Sequence, residues 1–325
     1  MKKFELTAEF VTNVLGKKLF RIKALVAFGD VEKGELGGFI EKEDNLSHDD
    51  NAWVSGNAWV YGDARVYGDA RVSGNACVSG NAWVYGDARV YGDARVYGDA
   101  RVSGNACVYG DAWVYGDAWV YVNAQVSGNA RVYGDAQVSD NAWVYVNAQV
   151  SGNARVYGDA QVSDNAWVSG NAWVYGDARV SGNAWVSGNA WVYGDAWVYG
   201  NAQVSGDAQV SDNAWVSGKA RVSGNAWVYG NAQVSGNAQV SGNAQVSGNA
   251  DYAAVAGFGR YSRTTTFFRC KDKILRVQCG CFYGDLAQFR EIVKKTHGDS
   301  KYAKEYLAIA DLMELHFSDE CGGEQ

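Results

Sequence analysis

"NAWVYGDARVYGDARVSGNACVSGNAW" (residues 57–83) repeats one six-residue word, N/D-A-x-V-S/Y-G. The word starts at Asn51 and keeps its phase without insertion through 33 full copies and a trailing Asn249-Ala250. Fixed-period self-similarity marks a solenoid, in which each repeat buries its apolar face against the next. In an extended segment, residues two apart share a face, so Ala52 and Val54 point one way while Trp53 and Ser55 point the other. Gly followed by Asn or Asp closes each word, and these residue types best tolerate positive φ at a corner. Each word therefore predicts one short strand and one corner, with Ala and Val inside. Three words close a triangular coil of 18 residues. Eleven such coils, at about 4.8 Å each, predict a stack roughly 50 Å long. Burial of each Val stabilises by roughly 1.5–3 kcal/mol, so the coils hold one another and none stands alone.

An aliphatic residue followed four places later by a small one (Val54, then Ala58) resembles the hexapeptide repeat of left-handed parallel β-helices. The resemblance covers residues 51–250. Left-handedness is implied by it; the periodicity is silent on hand.

All 13 Trp occupy the outward x position, shared with Arg, Gln, Cys77 and Cys107. Fifteen of the 20 Tyr occupy the second outward position, alternating with Ser. Such a grid either packs into ladders that stabilise the coils or grips a partner or a glycan. Trp divides almost evenly among the three faces: 53, 143, 197 and 215; 59, 113, 167 and 185; 83, 119, 173, 191 and 227. No face is reserved for it, which favours ladders. Residues 119–142 and 143–166 are identical. That unit is four words long, so its insertion turns everything downstream by one face, and the array tolerates the turn. Length and general surface character therefore matter more than a fixed constellation.

The chemistry of an enzyme is missing from the array. Many left-handed β-helices are acyltransferases with a catalytic His and loops that interrupt the coils. Here the three His (48, 297 and 316) lie outside residues 51–250, and no loop interrupts the word. There is no Thr in the array for ice binding. Fifteen Asp against nine Arg and one Lys leave the array at net −5. Duplex DNA of about 50 Å would carry roughly 30 charges, which disfavours DNA mimicry. The net charge of −7 over 325 residues disfavours nucleic-acid binding. No apolar run is long enough for a membrane span, and "MKKFELTAEF" lacks the apolar stretch of a secretory signal. The six Cys show no disulfide-framework spacing and read as free thiols of a cytoplasmic protein.

The flanks differ from the array. Residues 1–50 predict a β-hairpin cap ("KFELTAEF", "KKLFRIKALVAF") around the turn "TNVLG", then a lead into the first coil. Residues 251–325 predict a ββαα module. Its strands are "TTTFFRCKD" and "KILRVQCGCF". Its helices are N-capped by Asp285 and Ser300, the first ending at Gly298. Cys270, Cys279, Cys281 and His297 match no common zinc spacing, and nothing in the sequence orients His297 toward Cys281. No catalytic, metal or cofactor residues are assigned.

The segments "GELGGFIEKEDNLS", the array, and "TFFRCKDKI…GCFYGDLAQF…THGDSKYAKEYL" together resemble a group of hexapeptide-repeat proteins of bacteriophages and prophages of gut bacteria. The likeness spans nearly the whole chain and implies the layout without an activity. The first segment also looks like the entry of bacterial proteins described as acyltransferases from their repeat alone. The expected function is a non-enzymatic solenoid that binds a protein, such as a host defence component if phage-encoded. Acyl transfer and self-assembly through aromatic faces are the rivals. The non-repetitive module is the expected carrier of specificity, with Phe267, Phe268, Arg269, Phe282, Tyr283, Lys294, Lys295 and His297 as its partner-binding candidates.

Overall fold

Each word forms a two-residue strand of x and Val, and residue n pairs in parallel with residue n+18. Arg71-Val72, for example, lies between Trp53-Val54 and Arg89-Val90. The ladder passes through the corners. The N–H groups of Trp53, Ser55 and Asn57 donate to the carbonyls of Ala70, Val72 and Gly74 at 3.0, 2.9 and 2.8 Å. The inward Ala and Val are fully buried, as at Ala70 and Val72. This is a parallel β-solenoid. The computed structural model describes residues 1–318; residues 319–325, the end of the segment read as the C-terminal module, lie outside the described residues. The chain divides into two compact units, Met1–Asp177 and Ala178–Gln325.

In the first unit, Phe4–Thr12 and Lys18–Ala24 form the expected antiparallel hairpin. A third strand, Leu36–Ile40, follows where the sequence suggested only a lead-in. It pairs antiparallel with the hairpin (Phe20 with Ile40) and parallel with the coil (Phe39 with Trp59, Ile40 with Val60). It is thus hairpin strand and first rung at once. Asn45, fully buried, donates through Nδ2 to the carbonyls of Gly62 and Ala64. Lys3 closes the same end. Its ammonium donates to the carbonyls of Asp49, Asp50 and Ala52 and lies 4.5 Å from the Phe28 ring centroid. Phe28 also covers Trp53, which is buried although its position in the word is outward.

In the second unit, coil strands from Arg179 to Val246 lead into a four-stranded antiparallel meander: Tyr252–Phe258, Arg263–Arg269, Leu275–Cys279 and Phe282–Asp285. The sequence predicted only the middle two. Tyr252–Phe258 is rich in Ala and Gly, and Phe282–Asp285 is short, so neither carries a strong strand signal. Two helices follow, α1 (Leu286–His297) and α2 (Lys301–Phe317), with caps at Asp285, Gly298 and Ser300 as read from the sequence. Successive side chains of a strand face opposite sides. Phe267 accordingly enters the core with Val277, Phe289, Ala310 and Met313, while Phe268, also fully buried, faces the last coil. That face of the sheet closes the solenoid: Gln239 N–H donates to Thr266 Oγ1 at 2.9 Å, Ser241 Oγ to Gln278 Oε1 at 3.0 Å, and Lys271 N–H to the carbonyl of Asn243 at 3.1 Å.

The corner glycines are required by both angle and space. Gly74 has φ +69°, and a Cβ there would stand 3.0 Å from both the nitrogen and the oxygen of Gly92. Yet Val122 and Val146 occupy this position at φ +61° and +63°. A left-handed conformation costs an L-residue roughly 1–2 kcal/mol, and a β-branched one more. Val122→Gly and Val146→Gly should each raise stability by about 1 kcal/mol, and Gly74→Val should lower it by more than about 2 kcal/mol, in urea unfolding.

Burial lowers the Lys3 ammonium to a pKa of about 8, from 10.5. The fold therefore disfavours its charged form, and between pH 8 and about 10.5 the folded chain gives up a proton that the unfolded chain keeps. Stability of the first unit should rise across that window. The thermal midpoint of the wild type minus that of Lys3→Met should grow from pH 8 to 10, the difference cancelling the thiols and tyrosines that titrate in both.

Candidate binding site

Register determines what the outward grid does. Position n lies beside n+18, so like meets like or a fixed partner. Tyr97, Tyr115 and Tyr133 stack with centroids 4.9 and 5.0 Å apart and planes within 2°. Arg101 lies between Trp83 and Trp119, 5.3 and 4.7 Å from their ring centroids, and Trp113 lies between Arg95 and Arg131, 5.1 Å from each. Corner amides continue the pattern: Asn105 donates to Asn123, Asn123 to Asn141, and Asn141 to Asp159. In the second unit Asn189 donates to Asp207, and Trp197 meets Trp215 at 5.5 Å. Many of the outward side chains are engaged with one another. A hollow of about 720 Å³ beside Asp49, Tyr67 and Trp83 includes Glu43, already held by Lys2 at 2.6 Å and facing His48 at 3.7 Å.

The module offers a different surface. A cavity of about 200 Å³ opens between the sheet and α1, walled by Phe282, Phe289, Ile292 and Val293. His297, Thr296, Cys279, Cys281 and Tyr306 border it, and its mouth is the turn Gly259–Ser262 with Arg260, Tyr261 and Arg263. The guanidinium groups of Arg260 and Arg263 lie 5.5 and 5.0 Å from the centroid of Tyr261, which is 65% exposed. Among the described residues no carboxylate pairs with either arginine. The turn is tied down, since Gly259 N–H donates to Glu305 Oε2 at 2.9 Å. Burial first, then the Cys279 thiol, pushes the Tyr306 hydroxyl up to about 12, so it is a neutral donor at the cavity wall. Thr265 Oγ1 donates to Cys279 Sγ at 3.2 Å.

Two of the eight sequence candidates, Phe282 and His297, line this cavity. Lys294 and Lys295 are exposed on α1 outside it. Phe267 and Phe268 are corrected: both are fully buried, on opposite faces of one strand, so neither is part of an exposed surface. Arg269 is committed to the carbonyl of Phe317 (3.0 Å) and to Asp251 (3.8 Å). Tyr283 places its hydroxyl in the space a side chain at Gly242 would fill, so it covers the last coil. Cys270 lies in the turn at the far end of the sheet from Cys279, and among the described residues no three His, Cys, Asp or Glu side chains are placed to share a metal. The sequence reading missed Arg260, Tyr261 and Arg263. Their signal was the glycine-rich "GFGRYSR", a hairpin tip with two arginines around a tyrosine.

Comparison with known families bears on the solenoid. The array matches the YdcK beta solenoid repeat. The matched residues are 58–116, 124–140, 148–194 and 202–236, just under half of the chain and all within the repeat. No curated protein matches the chain. Among the described residues no helix is long and apolar enough to cross a membrane. Within the YdcK-like array the sandwiched arginine is a structural group. Arg101→Gln should lower stability by about 1 kcal/mol in urea unfolding, and Arg101→Lys should recover only part of it, because a planar guanidinium stacks on indole better than an ammonium does.

Proposed function

We propose that this chain is a non-enzymatic binding protein in which the solenoid is the scaffold and the C-terminal module recognises a protein partner. One observation carries the reading. Many of the solenoid's outward side chains are engaged in ladders, whereas the module presents two arginines without a carboxylate partner among the described residues, around an exposed tyrosine beside an apolar cavity. Tyr and Arg are the residue types that most often dominate protein interfaces. The absence of His from residues 51–250 and the unbroken word give the solenoid no base of the kind acyl transfer uses. The resemblance to phage and prophage proteins supports a host protein, such as a defence component in the bacterial cytoplasm, as the partner.

The experiment is capture from host lysate with full-length bait, because a detached module would expose Phe268 and Thr266. A bait carrying Tyr261→Ala, Lys294→Glu and Lys295→Glu should lose the partner. A bait carrying Trp143→Ala and Trp215→Ala should keep it. The reverse result would place the interface on the ladders.

A further inference from the structure

The reading that the module binds a protein can be taken one step further, to the chemistry of what it binds. We infer that the cavity beneath the Gly259–Ser262 turn receives one large apolar side chain from an acidic segment of the partner, whose carboxylates meet Arg260 and Arg263. This rests on the module being the interface.

Four observations carry it. The cavity, at about 200 Å³, is smaller than the roughly 300–1,000 Å³ of small-molecule sites and suits a single inserted side chain. Its walls are apolar at Phe282, Phe289, Ile292 and Val293. Its mouth holds two guanidinium groups, whose planar forks match carboxylates, and among the described residues none reaches them. Glu305 of α2, which anchors this turn, is already engaged by Gly259 N–H and by Lys301 at 3.5 Å.

The mouth is also pre-organised, which lowers the entropic cost of binding. Arg263 crosses the turn between the third and fourth strands, and a Cβ on Gly280 would stand 2.6 Å from its Nη1. Gly280 is therefore a positioning residue for the arginine. A polyanion such as nucleic acid fits less well, because the chain as a whole carries net −7 and repels an extended negative ligand, whereas a short acidic segment meets only the mouth.

The test is fluorescence anisotropy with the full chain and a fluorescein-labelled peptide, Glu-Asp-Glu-Phe-Asp-Glu. Three comparison probes are the same peptide with Ala for Phe, the same peptide with Lys for each acid, and a ten-nucleotide oligothymidylate. The Phe peptide should bind saturably and the others at least about tenfold more weakly. Arg260→Glu with Arg263→Glu should weaken it by a similar factor, as should Ile292→Glu at the wall. Gly280→Ala should weaken it with no charge changed. If the double reversal unfolds the module by thermal melting, Arg263→Gln alone reads the same effect. Absence of binding up to about 1 mM would overturn the inference. So would equal binding by the Ala peptide or by the arginine variants, or tighter binding by the oligonucleotide. If these arms fail while the lysate partner is still lost with the Tyr261, Lys294 and Lys295 changes, the module remains the interface and only its chemistry is wrong. If the partner survives every module variant, the wider reading falls.

Discussion

Residue n lying beside residue n+18 is the constraint on which everything else depends. Two features enforce it together. Where a further coil follows, the N–H of an x residue donates to an Ala carbonyl of that coil, as from Trp53 to Ala70. That bond sets Val over Val and Ala over Ala in a buried interior. A slip of one residue would turn Trp and Arg inward and Val outward, so the register has no near competitor. The interior admits only small side chains, and the corner admits a left-handed residue pressed against the backbone of its neighbour. Ala, Val and Gly are therefore the monotonous letters of the word, and x, which meets solvent, is the variable one.

The same register explains the surface. Because like positions stack, the aromatic groups form ladders: Tyr over Tyr about 5 Å apart, Arg between Trp rings, Asn handing a hydrogen bond to Asn or Asp. It also explains why both units need more than repeats. A rung without a neighbour exposes a row of unpaired backbone groups. In the first unit Leu36–Ile40, Asn45 and Lys3 supply the missing neighbour. In the second, Thr266, Gln278 and Phe268 do so. The capping segments are conditions of the fold, and the recognition proposed above is a second use of one of them.

The cap and the proposed binding surface are divided across one sheet. Phe267 and Phe268 are consecutive yet belong to different environments, helices on one side and coil on the other. The helices leave a hollow at the hairpin end, where Tyr261 lies between Arg260 and Arg263. The match to the YdcK repeat lies wholly within the array. It accounts for the solenoid and does not reach the module.

The sequence alone determined the solenoid, its inward and outward residues, the three-face distribution of Trp, the hairpin cap and both helices with their caps. These features follow from nearest-neighbour chemistry: a period, an alternation, a capping residue. It did not show that Leu36–Ile40 is a rung, that Trp53 is buried under Phe28, or that the module has four strands. Each of these depends on a partner distant in sequence and carries little local signal. The candidate site was half legible. Phe282 and His297 line the cavity, but Phe267 and Phe268, read as an exposed surface, are core, since two adjacent aromatics on a strand can both be buried only when both faces of the sheet are covered. Arg260 and Arg263 became visible as a candidate site only when tertiary packing brought their turn against α2, where two cations, an exposed ring and an apolar hollow share one mouth.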